Sequence, residues 1–137
     1  MSVALYLLDT DICSYLMKRT HPQLIERVRL FAPGHLKVSG VTVFELTFGA
    51  HRSPRCGEIL RVIAAFLENV EVLPFDRAAS VAAGRARAEL AASGQPIGAY
   101  DVLIAGHARA LGATLVTHNV REFSRVPGLT VEDWSVE

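Results

Sequence analysis

The sequence has few cysteines, only two lysines, no long hydrophobic run and no net charge. Its 2 cysteines are too few for a disulfide framework or a cysteine-rich zinc site. No segment approaches the roughly 20 apolar residues of a membrane span, and the short apolar run before Asp9 lacks the basic flank of a secretory leader. These absences predict a protein of the reducing cytoplasm with no membrane segment.

Acidic and basic residues balance, with 14 Lys and Arg against 14 Asp and Glu. An overall electrostatic attraction to nucleic acid or membranes is therefore excluded, and any such binding must depend on local separation of charge. Half of the 137 residues are hydrophobic and a fifth are charged, which is typical of a globular protein and not of a disordered one. A chain of this length can bury one core, so we expect one domain.

Short apolar segments alternate with amphipathic ones along the chain. The pattern predicts strands at 4–8, 36–39, 70–73, 114–116 and 129–131, and helices from 22 to about 33 and at 12–18, 41–50, 59–67, 77–92 and 99–111. Asp76 is a predicted helix N-cap, and Gly112 is a predicted helix stop. This alternation predicts an α/β fold in which helices cover both faces of a parallel sheet.

Polar side chains stand at the ends of the predicted strands, where ligands bind in parallel sheets. Asp9 and Asp11 follow the first strand directly, and Asn119 lies just beyond the fourth strand. Asp101 lies in the first turn of the last predicted helix. Glu45 lies within a turn or two of the start of the third predicted helix, at helical spacing from apolar neighbours. We expect these side chains to converge at one edge of the sheet.

Carboxylates that converge in this way require a cation. At a separation of about 5 Å each pair repels by on the order of 3 kcal/mol at an effective dielectric near 20. Oxygen ligands without partnered cysteines or a His-x-x-x-His pair suit Mg²⁺ or Mn²⁺ better than zinc. Structural alternatives exist for Asp11 as a helix N-cap and for Asp101 as a first-turn carboxylate. Glu45 is harder to explain structurally, because a carboxylate on an apolar face is costly unless it meets a charge.

Four segments of the chain resemble, in order, the motifs of PIN-domain ribonucleases, and in particular the VapC-type toxins of prokaryotic toxin–antitoxin pairs. They lie at 7–16, 43–50, 97–105 and 115–123, and the ending at 126–134 is similar to that family as well. The resemblance covers nearly the whole chain and implies a single PIN domain over residues 1–137. The implied fold has three layers, with a central parallel β-sheet of about five strands flanked by helices.

The same resemblance assigns roles to the polar residues at the strand ends. It implies one or two Mg²⁺ or Mn²⁺ ions, with Asp9 and Asp101 as direct metal ligands. Glu45 is implied to reach the metal through water, and Asn119 is the implied fourth polar member of the catalytic group. Asp9, Glu45, Asp101 and Asn119 are therefore the predicted catalytic residues.

Three residues depart from the pattern of that family. Asn119 stands where aspartate is often found, which removes a charge and weakens a second metal site. Asp11 stands where these toxins often carry asparagine, and His118 stands where a polar amide is common. Asp11 partly restores the missing charge if it faces the site. Alternatively, Asp11 caps the first helix and faces solvent.

The resemblance implies a metal-dependent endoribonuclease that is neutralised by a cognate VapB-like antitoxin, with tRNA as the expected substrate. Leaving aside Asp9, Asp11, Glu45 and Asp101, basic residues exceed acidic ones by four, which favours contact with RNA phosphates. The antitoxin is expected to pack apolar side chains against the early helices and to place a cation among the carboxylates. A homodimer is also expected. The apolar segments 13–16 and 59–66 are the predicted partner or self-association surfaces.

Two other classes of protein share features with this sequence. A strand followed by Asp-x-Asp is also similar to the nucleophile motif of haloacid-dehalogenase-type phosphatases. Those enzymes, like receiver domains, need a late lysine, whereas Lys18 and Lys37 lie too early. A non-catalytic binding module with a PIN fold is expected to lose its acidic residues, which are present here. An assay of metal-dependent RNA cleavage separates the three classes.

Overall fold

A five-stranded parallel sheet runs through the centre of the protein. The structure, a computed structural model, describes residues 4–31 and 33–136, so the expected domain limits of 1–137 include residues outside those ranges. The strands are β1 (Tyr6–Leu8), β2 (Leu36–Ser39), β3 (Glu71–Leu73), β4 (Thr114–Val116) and β5 (Val131–Glu132). Their order is β3-β2-β1-β4-β5, and every neighbouring pair is parallel. The predicted α/β architecture is confirmed.

Helices connect the strands and cover the sheet. Those in the described part of the chain are α1 (Thr10–Lys18), α2 (Pro22–Arg29), α3 (Gly40–His51), α4 (Cys56–Leu67), α5 (Arg77–Ala92), α6 (Ala99–Leu111) and α7 (Val120–Phe123), with a 3-10 turn at Pro33–His35. None of these helices has the length and apolar character needed to cross a lipid bilayer.

The start of α5 and the end of α6 agree with the sequence pattern, and a capping residue marks each of them. Asp76 caps α5 by accepting a hydrogen bond from the backbone of Ala79, and Gly112 ends α6 in the left-handed conformation. The first helix begins at Thr10, two residues earlier than predicted, because Asp9 is its N-cap. The second helix ends at Arg29 and not near residue 33, and the last strand lies at 131–132 instead of 129–131. The short helix α7 was not predicted.

Two hydrophobic clusters lie on opposite faces of the sheet. Leu7 and Leu115 point into the cluster that α5 and α6 cover, whereas Leu8 and Val116 point into the cluster that α1 and α4 cover. Successive side chains of a strand point to opposite faces, so each central strand contributes to both cores. The protein therefore has the predicted three-layer fold.

The apolar segments that were predicted to form partner surfaces belong largely to this second cluster. Cys13 is 0% exposed and Ile63 is 5% exposed. Tyr15, Leu16 and Phe66 are partly buried and pack against the same cluster. The side chains that pack inward therefore belong to the core, because an amphipathic helix face is buried by the sheet before it is offered to a partner. The role of the two segments as partner surfaces stays a prediction.

Helices α5 and α6 approach each other closely at Gly106. A Cβ atom on Gly106 would lie 2.3 Å from the Cα atom of Ala83, a backbone atom that cannot move without shifting α5. We therefore expect Gly106→Ala to lower the free energy of unfolding by about 2–3 kcal/mol through overpacking. Chemical denaturation measures the change.

Gly84 provides the matched control for that substitution. It lies on α5, and no atom lies within 4 Å of the position that its Cβ would take. Gly84→Ala should leave stability unchanged or raise it by about 0.5–1 kcal/mol, because alanine favours the helix. Equal stability of the two variants would contradict the close approach of α5 and α6.

Candidate active site

Asp9 lies at the carboxyl end of β1 and is almost fully buried, with 5% of its surface exposed. Parallel pairing of Leu8 with Val116 places Asp9 beside Thr117, the residue that follows β4. The Thr117 hydroxyl donates to Asp9 Oδ2 at 2.8 Å, and the Thr10 backbone N–H donates to Asp9 Oδ1 at 2.8 Å. The register of β1 with β4 and the first turn of α1 thus fix the positions of both carboxylate oxygens of Asp9.

Asp11 turns toward the end of β4. Its Oδ2 accepts a hydrogen bond from the backbone N–H of His118 at 3.2 Å and lies 3.5 Å from the Thr117 hydroxyl that serves Asp9. Asp9, and not Asp11, is the N-cap of α1. The alternative in which Asp11 caps the helix and faces solvent is therefore wrong. The imidazole of His118 contacts Asp133 and Ser135 through Nδ1.

Glu45 reaches the same region from α3. Its Oε1 accepts a hydrogen bond from the Thr10 hydroxyl at 2.7 Å, and Thr10 also contacts the hydroxyl of Thr42 at 3.1 Å. Thr10 directly follows Asp9, so a single residue links the first strand end to the third helix. The sequence placed Glu45 correctly within the first turns of α3.

The apolar neighbours of Glu45 on the helix do not bury it, contrary to expectation. Phe44 and Phe48 are 51% and 56% exposed. The side of α3 that faces the core carries Val41, Leu46 and Ala50. Because α3 is apolar on both its buried and its exposed sides, helical spacing alone did not identify which side faces inward.

Asp101 lies in the first turn of α6, next to a carboxylate that is absent from the predicted catalytic residues. Glu122 of α7 accepts a hydrogen bond from the backbone N–H of Gly98 at 2.7 Å through Oε1. Its Oε2 accepts from the side-chain amide of Asn119. The backbone N–H of Asn119 donates to the Thr117 hydroxyl at 3.0 Å. Glu122 lies within the segment 115–123 and one helical turn after Asn119, which is the signal that could have identified it.

Burial and mutual repulsion perturb the titration of these carboxylates. Burial, followed by the negative charge of Asp11, raises the pKa of Asp9 from 3.8 to about 8. Burial, followed by the charges of Glu122, Glu45 and Asp11, raises the pKa of Asp101 from 3.8 to about 6. The structure therefore brings Asp9, Asp11, Glu45, Asp101 and Glu122 close enough to repel one another, and a cation would relieve that repulsion.

The residues present fit a hydrated, oxygen-preferring ion. Within residues 4–31 and 33–136, no three Asp, Glu, His or Cys side chains converge tightly enough to enclose a metal by themselves. Mg²⁺ does not need such a cage, since it keeps several waters and is usually held by one or two carboxylates together with substrate phosphates. Asp9, Asp101 and Glu45 supply only oxygen donors, which also disfavours zinc.

Comparisons with known proteins agree with this fold. The PIN domain family matches residues 6–129. The tRNA(fMet)-specific endonuclease VapC of Shigella flexneri is 45% identical over 130 residues, which cover 95% of this chain and 98% of that protein.

Solved structures give the same result. A chain in the crystal structure of DNA-bound VapBC from Salmonella typhimurium superposes with a TM-score of 0.91 at 39% identity, covering 96% of this chain and 99% of that chain. A chain of VapBC2 from Rickettsia felis, bound to a DNA fragment from their promoter, gives a TM-score of 0.89 at 34% identity, covering 95% of this chain and 98% of that chain.

The chain belongs to the PIN-domain family. Its relatives within that family are VapC ribonucleases, so the protein is a nuclease of the VapC type. The predicted family, fold and enzyme class are confirmed, and the phosphatase and receiver alternatives are excluded. The catalytic roles of Asp9, Glu45, Asp101 and Asn119 stay predictions.

Proposed function

We propose that this protein is a Mg²⁺- or Mn²⁺-dependent endoribonuclease toxin that cleaves a transfer RNA. The observation that carries the proposal is the convergence of Asp9, Glu45 and Asp101 at the carboxyl edge of the sheet, with a raised pKa for both aspartates. The names of two relatives, tRNA(fMet)-specific endonucleases from Shigella flexneri and Salmonella typhimurium, make the initiator tRNA the first substrate to test. We expect a protein that cleaves transfer RNA to act in the cytoplasm.

The protein's own residues would hold and orient the ion and the RNA. Asp9 and Asp101 are the proposed direct ligands, and Glu45 is proposed to act through water. A bound ion would neutralise the scissile phosphate and lower the pKa of a water molecule. The hydroxyls of Thr117 and Thr10 donate to Asp9 and Glu45 respectively, and they fix the direction of each carboxylate before the ion arrives.

A cleavage assay tests the proposal directly. The purified protein should cut tRNA(fMet) in the presence of Mg²⁺ or Mn²⁺, and a chelator should stop the reaction. An elongator methionine tRNA serves as the comparison substrate. If the folded protein leaves the RNA intact at every divalent-ion concentration tested, the proposal is wrong.

Glu45→Gln tests the water-mediated role of this carboxylate. The Gln side chain can still accept the hydrogen bond from Thr10, so the fold should be unchanged. We expect cleavage to fall about tenfold or more, and Mn²⁺ affinity measured by calorimetry to fall less than it does for Asp101→Asn. Unchanged Mn²⁺ affinity in both variants would contradict the proposed metal site.

We also propose a VapB-like antitoxin as the partner, because an apolar groove leads to the carboxylates. The groove lies between α1, α3 and α4 and has a volume of about 870 Å³. Leu46, Ile59 and Val62 are among its apolar lining residues, and Glu45 and Asp11 also line it. An antitoxin segment with apolar side chains and one cation would match both parts of this surface.

Val62→Asp tests that partner. Val62 is 44% exposed in the groove, so a charge there should be tolerated by the fold and should oppose apolar packing. We expect the variant to escape inhibition by the product of the co-encoded neighbouring gene while it keeps its RNA cleavage rate. Parental inhibition of this variant would contradict the groove as the docking site. A homodimer stays a prediction, for which light scattering is the measurement.

A further inference from the structure

A buried histidine links the two helices that carry Glu45 and Asp101. His107 lies on α6 and is only 2% exposed, and the proposed reaction does not use it. Its Nδ1 lies 2.8 Å from the hydroxyl of Ser39, which is 0% exposed and is the N-cap of α3. The contact therefore joins the body of α6 to the start of α3.

The direction of this hydrogen bond follows from the second contact of the Ser39 hydroxyl. The Ser39 oxygen accepts from the backbone N–H of Val41 at 3.1 Å, so its own hydrogen is free to donate to His107. Burial lowers the pKa of His107, although the charge of Asp76 opposes that effect, so the ring is neutral at neutral pH and Nδ1 can accept. The ring of Phe75 packs edge-on against His107 at 5.5 Å. The Ser39 hydroxyl and His107 Nδ1 therefore satisfy each other in the core.

The contact lies at the same distance along each helix from a site carboxylate. Ser39 precedes Glu45 by six residues, and His107 follows Asp101 by six residues. At 1.5 Å per residue, each carboxylate is about 9 Å along its helix from the contact. A change of about 10° in the angle between α3 and α6 would therefore move Glu45 and Asp101 relative to each other by about 1.5 Å.

Repulsion between the carboxylates acts to separate the two helices. Glu45 and Asp101 are close enough to repel each other when both are charged. Without a bound ion, this repulsion is opposed by the packing of α3 on α6 and by the buried contact of Ser39 with His107. Apolar packing is not directional and permits small tilts, whereas a hydrogen bond restricts both a distance and an angle. The contact with His107 is therefore suited to setting the angle between the helices.

We infer that His107 is a positioning residue for the nuclease site, which holds α3 at the angle to α6 that lets Glu45 and Asp101 share one ion. His107 itself contacts neither the ion nor the RNA. The inference rests on the proposed function, because it needs a divalent ion at these carboxylates. A purely structural His107 would instead affect the stability of the fold and have no specific effect on ion binding.

Calorimetry of Mn²⁺ binding to the whole protein tests this role without relying on cleavage. His107→Leu removes the hydrogen bond with Ser39 and keeps a bulky side chain, so it should weaken Mn²⁺ binding about tenfold or more. His107→Asn offers a polar atom close to where Nδ1 lies, and it should keep Mn²⁺ affinity within about threefold of the parental value. Unchanged affinity in folded His107→Leu would overturn the inference.

Leu90→Ala controls for a general loss of stability. Leu90 lies on α5, is 2% exposed and belongs to the hydrophobic cluster that α5 and α6 cover. Its truncation should destabilise the fold by leaving a cavity and should keep Mn²⁺ affinity of the folded protein within about twofold. Equal losses of affinity in Leu90→Ala and His107→Leu would make His107 a structural residue only. Ser39→Ala removes the same hydrogen bond from the α3 side and provides the same test if His107→Leu does not fold.

A double-variant cycle with Glu45→Gln identifies how the effect reaches the ion. If His107 acts by placing Glu45 against Asp101, its replacement should matter little once the Glu45 carboxylate is gone. We expect His107→Leu to change Mn²⁺ affinity by less than about twofold in the Glu45→Gln background, against about tenfold in the parental background. Equal losses in the two backgrounds would contradict the positioning role.

The outcomes separate this inference from the proposed function. A parental protein that binds no Mn²⁺ would overturn the proposed metal site and the inference together. A parental protein that binds Mn²⁺ as tightly as His107→Leu does would overturn the inference alone and leave the proposed function in place.

Discussion

Asp9→Asn is expected to abolish RNA cleavage and, when divalent ions are removed, to stabilise the fold. Asp9 is 5% exposed and has the most strongly raised pKa among the site carboxylates, because burial and Asp11 both oppose its charge. Asparagine fits the same space, can accept from the Thr10 N–H and can donate to the Thr117 hydroxyl. We expect a loss of cleavage of more than about a hundredfold, since Asp9 is a proposed metal ligand and a ligand matters at least as much as its supporting contacts.

The stabilisation depends on pH. The Asp9 carboxyl has a pKa of 3.8 when unfolded and about 8 when folded, so between these values the folded chain holds a proton that the unfolded chain has released. Stability without metal should therefore fall as pH rises from about 4 to about 8, at up to about 1.4 kcal/mol per pH unit. Asp9→Asn should remove most of this slope and gain about 1–4 kcal/mol at neutral pH. Denaturant unfolding with a chelator, repeated across this range, measures both effects.

Added Mg²⁺ should reverse the slope in the parental protein and not in the variant, because the proposed ion would bind the charged form of Asp9. Asp76→Asn is the matched control, since Asp76 also caps a helix but is exposed and far along the chain from the site. It should change neither cleavage nor the pH slope, because asparagine caps a helix as well as aspartate does. A pH slope in Asp9→Asn as steep as in the parental protein would contradict the assignment.

The sheet and the carboxyl edge that carries the candidate site could be predicted because local sequence marks buried parallel strands. Leu7 and Leu8 are apolar without alternation, since both faces of β1 are covered, and Asp9 marks where that strand stops. The last strand begins two residues later and ends one residue later than predicted, because its short pairing with β4 is set by register and not by composition.

Side-chain direction could not be predicted in the same way. Asp11 had two equally plausible orientations in the sequence, and only the position of Thr117 and His118 at the end of β4 decided between them. The exposed side of α3 was misassigned because Phe44 and Phe48 are as apolar as the residues that face the core. Glu122 was missed because its proximity to Asp101 depends on the packing of α7 against the start of α6.

Glu122 changes the interpretation of Asn119. From the sequence, Asp11 was the residue expected to compensate for the charge that Asn119 lacks. Glu122 accepts a hydrogen bond from the Asn119 side chain and lies beside Asp101, so it also supplies a negative charge at that end of the site. Glu122→Gln should lower the pKa of Asp101, because a repelling charge is removed. It should also raise the Mg²⁺ concentration for half-maximal cleavage by about ten- to a hundredfold.

Exchanging the two side chains is expected to restore the Mg²⁺ requirement. Asn119→Asp alone removes the amide that donates to Glu122 and sets two carboxylates against each other, so it should destabilise the site and impair cleavage. Asn119→Asp combined with Glu122→Gln returns one donor and one carboxylate to the pair, and the double variant should need far less Mg²⁺ than Glu122→Gln alone. Titration of cleavage with Mg²⁺ for the single and double variants measures this coupling, with Asp11→Asn titrated alongside. The Mg²⁺ requirement could instead rise more in Asp11→Asn than in Glu122→Gln and show no recovery in the double variant. That result would identify Asp11 as the residue that supplies the compensating charge.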